Sequence, residues 1–107
     1  MASSIIQAKT RKPFRECFMC RLEASEHGYY GELEHTGLER HHIMHGHARR
    51  QLSEEWGVWT YLCKKHHSNV HDTNDGTDRF LKMVGQKRFE QLYGHDKWME
   101  VFGKNYL

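Results

Sequence analysis

Two pairs of metal-binding residue types share one spacing in this chain. Cys17 and Cys20 are separated by two residues, and Cys63 and His66 repeat the interval in CKKH. A turn of that length aims both donors at one point. Together the four residues offer three thiolates and an imidazole, a closed tetrahedral set suited to structural zinc. The set uses all 3 cysteines, an odd number that excludes a complete disulfide framework and makes metal ligation their leading explanation. The alternative is that the cysteines are small buried hydrophobes and the histidine is incidental, but the doubled spacing favours the metal. A two-cysteine, two-histidine DNA-reading finger needs only about a dozen residues between its pairs, far fewer than lie between Cys20 and Cys63. A redox role for CFMC is weaker, because the second pair offers the first a metal partner.

A second set is made of imidazoles. His67 and His71 are four apart, one above the other on a helical face. Such a pair presents two nitrogens to one ion. Ser68 stands where a zinc peptidase of the HExxH type would need its glutamate. A third ligand must come from elsewhere, and His41 or His42, within ERHHIMHGHARR (39–50), is the obvious source. Adjacent strand residues point to opposite faces, so one of that pair can bind metal while the other does different work. His27, His35, His45, His47 and His95 are read as ordinary surface or core residues. Arg49 and Arg50 are candidate phosphate contacts, with a solvated helix face as the equal alternative.

The elements that must position these residues follow from local pattern. CFMC reads as a tight turn, and EHGYYGELEHTG as a hairpin or ordered loop. LERHHI (38–43) and the β-branched, aromatic VWTYLC (58–63) read as strands. HARRQLSEEWG (47–57) reads as a helix ended by Gly57, with Ser53 able to cap its last turn. KKHHSNVHD (64–72) reads as a helix candidate, because it carries histidines at i and i+4. From Thr77 to Tyr93, a stripe at positions 80, 81, 84, 88 (stem only), 89 and 92 predicts a long helix. Gly94 ends that helix, and Asp96 can cap a last one through Phe102.

The chain has 107 residues, the size of one domain. A core this small gains from a structural metal. With 28% charged and 37% hydrophobic residues it is globular in composition rather than disordered. The formal charge of +2 says little, but Lys9, Arg11, Lys12 and Arg15 cluster in or beside an expected flexible basic tail (1–13) ahead of a single domain (14–107). That cluster is either a solvated tail or a backbone-phosphate contact. No apolar run spans a bilayer and no signal-peptide h-region is evident, so the expected setting is cytoplasmic, with reduced thiols and no membrane partner.

LERHHI, followed some twenty residues later by LCKKHHSNVH, resembles the HNH (ββα-metal, or His-Me finger) nuclease family, most closely its phage-type members with a zinc-braced core. The likeness covers roughly residues 17–72. It implies an α+β fold with a ββα-metal core (17–72) and C-terminal helices (77–102), acting on double-stranded DNA in a bacterial or phage-infected cell. By this resemblance His41, His67 and His71 hold a catalytic ion, His42 is the general base, and Cys17, Cys20, Cys63 and His66 form a zinc brace. The family's middle Asn is missing from GVWTY, and Asn69 falls after the strand. Ser53, Glu54 or Glu55 is the expected substitute.

Residue properties support the same chemistry. A neutral imidazole can take a proton from water near neutral pH, and a nearby dication disfavours its protonated form. The ion can contact a phosphate oxygen and the leaving 3′ oxygen. Imidazole ligation admits Zn²⁺, Ni²⁺ or Mn²⁺, and Mg²⁺ with its waters retained. A zinc-stabilised DNA- or protein-binding module without catalysis is the alternative, but binding does not require a base beside a metal cluster.

Overall fold

The computed structural model describes residues 3–7, 15–33, 36–72 and 76–107. Lys9, Arg11, Lys12 and Pro13 of the expected tail lie outside these residues, as does His35. Among the described residues the fold is α+β, with five helices and one two-stranded sheet.

The first thiol pair opens a helix, α1 (Phe18–Glu26), rather than forming an isolated tight turn. Cys17 is its N-cap, in extended conformation, and its sulfur accepts from the Cys20 N–H at 3.4 Å. The described residues of the segment after α1 (27–33 and 36–38) form no strand. Arg21 ties it down, reaching Glu16 at 2.6 Å through Nε and the Gly31 carbonyl at 2.8 Å through Nη2.

Strand β1 (Glu39–His42) pairs antiparallel with β2 (Trp59–Leu62), with His41 opposite Thr60 and His42 opposite Trp59. Alternation therefore sends His41 and Thr60 to one face and Arg40, His42, Trp59 and Tyr61 to the other. Between the strands runs α2 (His47–Trp56), closed by Gly57 in the left-handed region (φ 73). Ser53 is not a cap. Its buried hydroxyl accepts from the Met44 N–H at 3.1 Å and donates to the Met44 carbonyl at 3.3 Å, fastening α2 to the turn that leaves β1.

The free edge of β2 is covered by residues 3–7. Ser4 Oγ donates to the Trp59 carbonyl, Ile5 N–H to the Gly57 carbonyl, and Gln7 Oε1 accepts from the Tyr61 N–H. Such cover removes a row of unpaired backbone groups that would invite another chain.

Helix α3 (Lys64–Asp72) follows β2 directly, and α4 (Thr77–Tyr93) packs across it. The expected stripe on α4 is rotated: its buried residues include Thr77, Leu81, Gly85, Gln86 and Phe89, whereas Phe80 and Leu92 are exposed. Gly85 explains the rotation, since a Cβ there would stand 3.1 Å from Val58 and 3.4 Å from Ile43. The helix thus approaches the sheet along its smallest residue. Helix α5 (His95–Phe102) is preceded by Gly94 as N-cap, and Asp96 lies inside the first turn, where its charge favours the positive end of the helix dipole.

The core joins Ile43, Met44, Val58 and Leu62 to Leu81, Phe89, Trp98 and Phe102. Burial of each such side chain contributes about 1.5–3 kcal/mol. Buried Gln86 holds the C-terminal residues against α4, accepting from the Tyr106 N–H and donating to Asn105 Oδ1, both at 2.7 Å. No helix among the described residues is long and apolar enough to cross a membrane.

Candidate metal centres and the imidazole cleft

The N-terminus of α1 and the β2–α3 junction bring the two x-x pairs together. His66 Nδ1 lies 3.5 Å from Cys17 Sγ, 3.4 Å from Cys20 Sγ and 3.2 Å from Cys63 Sγ, and Cys20 and Cys63 are 3.8 Å apart at sulfur. All four donor atoms lie within 4.8 Å of one another, close enough to hold one metal ion. Thiolates bound to one zinc at about 2.3 Å sit roughly 3.8 Å apart, so the cluster has the size of a zinc site. The sulfurs are too far apart for a disulfide, and all three cysteines are free. Burial pushes the Cys17 and Cys20 thiols up. Burial acts the same way on Cys63, but hydrogen bonds led by the His66 N–H outweigh it and bring Cys63 down to about 7. The other ring nitrogen of His66, Nε2, is 3.1 Å from Glu23 Oε2, the outer carboxylate that commonly orients a ligating histidine.

Strand β1 and helix α3 assemble the imidazoles. His41 is 2% exposed, and its Nε2 is buried with no hydrogen-bond partner. An orphaned buried nitrogen is costly unless something accepts its lone pair. Burial first, then the charges that His45, His67 and His71 can carry, push His41 down to about 3. It is therefore neutral, the form in which imidazole ligates. Its ring centroid is 5.3 Å from that of His67 and 5.9 Å from that of His71, and those two are 5.0 Å apart. Donor atoms of the three fall within 4.8 Å of one another. His67 turns Nδ1 toward Glu39 Oε1 at 3.1 Å, leaving Nε2 for another partner.

His42, one residue on, faces away from this cluster. Its Nε2 is 2.7 Å from Glu54 Oε2 on α2, and the other oxygen of Glu54 accepts from Arg40, whose guanidinium lies 3.8 Å over the Trp59 ring. A ring proton on Nε2 donates to this carboxylate oxygen and leaves Nδ1 as the nitrogen with a free lone pair. Both His41 and His42 line an open cleft of about 500 Å³, together with His45, His67, His71 and Arg50. Arg50 is thus within the cleft, and Arg49 is exposed on α2 outside its lining.

The carboxylates Glu23, Glu39, Glu54 and Asp78 have no periodic relation to the histidines they contact, so local pattern could not single out all of them. His45 also stands differently from its expected place, 5.2 Å from His41 between ring centroids. Comparison with protein-family models, with curated proteins and with solved structures gives no match.

Proposed function

We propose that the protein is a metal-dependent endonuclease of the HNH type that hydrolyses phosphodiester bonds in double-stranded DNA. The observation that carries this reading is the divergence of two neighbouring imidazoles on β1. His41 turns to His67 and His71 with an unpartnered nitrogen, while His42, also among the residues lining the cleft, sets its ring against the Glu54 carboxylate.

In this reading His41, His67 and His71 hold one divalent ion, Mg²⁺, Mn²⁺, Ni²⁺ or Zn²⁺. When bound, the ion supplies positive charge at a phosphate oxygen and at the leaving 3′ oxygen. His42 removes a proton from the attacking water through Nδ1. Glu54 holds the ring in the tautomer that can do so and stabilises the imidazolium that results, the part otherwise taken by a fixed Asn or Asp. Arg50 grips a phosphate at the cleft wall. The cluster of Cys17, Cys20, Cys63 and His66 holds a structural zinc that joins α1 to the β2–α3 junction. The cytoplasmic setting belongs to this reading, since it keeps the three thiols reduced.

The test is supercoiled plasmid DNA incubated with Mn²⁺, Mg²⁺ or Ni²⁺, with and without EDTA, beside the variant His42→Ala. Cleavage by wild type, its suppression by EDTA and its loss in the folded variant are expected. An active His42→Ala would remove His42 from the base role. Absence of cleavage under every ion would favour a zinc-stabilised binding module.

A further inference from the structure

The chemistry just proposed uses three imidazoles, but the cleft contains a fourth. His45 lies in the turn that leaves β1, and its ring centroid is 5.2 Å from that of His41 and 5.6 Å from that of His71. Five of the six pairs among His41, His45, His67 and His71 therefore have centroids 5.0–5.9 Å apart. Neighbouring imidazoles bound to one ion at about 2.1 Å hold their centroids roughly 5 Å apart. Donor atoms of His41, His67 and His71 fall within 4.8 Å of one another, and so do those of His41, His45 and Asp78, so that His41 belongs to both sets.

His45 is also supported as ligating histidines are. Its Nε2 is 2.7 Å from Asp78 Oδ1 on α4, and Asp78 Oδ2 is 2.7 Å from Lys82 Nζ. Both carboxylate oxygens are thereby engaged, which makes Asp78 a support and leaves His45 Nδ1 as the available donor. A carboxylate behind the imidazole fixes its orientation and strengthens it as a donor. The same arrangement stands behind His66 and His67.

We propose that His45, held by Asp78, is a fourth protein ligand to the cleft ion, so that the ion is bound by four imidazoles. This rests on the cleft being a metal site, as in the nuclease reading. Four nitrogen donors disfavour Mg²⁺, which prefers oxygen and near-ideal octahedral geometry. They suit an imidazole-binding ion that accepts six ligands, such as Ni²⁺, Co²⁺ or Mn²⁺, and such an ion keeps two positions for phosphate and leaving oxygen.

The experiment is calorimetric titration of Ni²⁺ alone into the protein carrying zinc at its thiol site, with His45→Gln and His71→Gln alongside. Gln at position 45 can still donate to Asp78, which keeps the turn attached to α4. One Ni²⁺ per chain is expected in wild type, with affinity weaker in each variant by at least the roughly 10-fold that loss of an outer-shell partner costs. X-ray absorption of the Ni²⁺ complex should count four imidazoles in wild type and three in His45→Gln, a change that loosening of the turn alone would not produce. Unchanged affinity in His45→Gln while His71→Gln is weakened, or three imidazoles in wild type, overturns the fourth ligand and leaves the cleft as a metal site. No Ni²⁺ bound beyond the zinc overturns both.

Discussion

His41 and His42 are covalent neighbours with opposite surroundings, and the difference is one of partners. His41 has lost water and gained nothing for its Nε2, so protonation is disfavoured and its folded pKa of about 3 lies well below the ordinary 6.5. Between those values the unfolded chain takes up a proton that the folded one does not. This contribution to stability is therefore complete above pH 6.5 and is lost as pH falls toward 3. One unit into that window costs about 1 kcal/mol. From about pH 7 to about pH 5.5, wild type should accordingly lose about 1 kcal/mol more than His41→Gln, read from urea midpoints of zinc-loaded protein; parallel losses would mean His41 titrates normally. His42 instead leans on Glu54. Glu54→Gln keeps a hydrogen-bond acceptor but removes the charge that stabilises an imidazolium, so cleavage should slow at least about 10-fold with Ni²⁺ affinity unchanged. An unaltered rate would show that His42 does not depend on this carboxylate.

At the scale of elements, the cleft is built by how β1 leaves the sheet. Ser53 of α2 binds both backbone groups of Met44 from a fully buried position, which fixes the turn between His42 and His45. Ser53→Ala leaves a buried N–H and carbonyl without that partner, a loss of about 1–3 kcal/mol. The urea midpoint should fall by the corresponding amount, and no change would mean water or a shifted backbone replaces the hydroxyl. Gly85 has the complementary task on α4. Its missing Cβ lets that helix close on Ile43 and Val58, and α4 carries Asp78 to His45.

The whole molecule has a modest core for its length, and the thiol cluster links parts distant in sequence. Cys17 and Cys20 belong to α1, while Cys63 and His66 lie where β2 passes into α3. An ion bound there joins these elements in the folded state and has no preformed site in the unfolded chain, so its binding energy adds to folding. Cys63→Ser should lower Tm by more than about 10 °C and reduce the zinc content measured by atomic absorption. An unchanged Tm would count against a structural metal.

Several of these relations were legible in order along the chain. Repeated x-x spacing marked Cys17, Cys20, Cys63 and His66, because ligand pairs on one turn are local. The i, i+4 interval marked His67 and His71, and strand alternation separated His41 from His42 without saying which would face that pair. Glycines 57 and 94 marked helix ends for an equally local reason, the backbone conformation they permit. Tertiary structure decided the rest. Glu54 meets His42, Asp78 meets His45, and the buried face of α4 follows Gly85 rather than the apolar stripe. These outcomes depend on where separate elements lie in space. Periodicity within one element carries no information about the distance from its side chains to those of another.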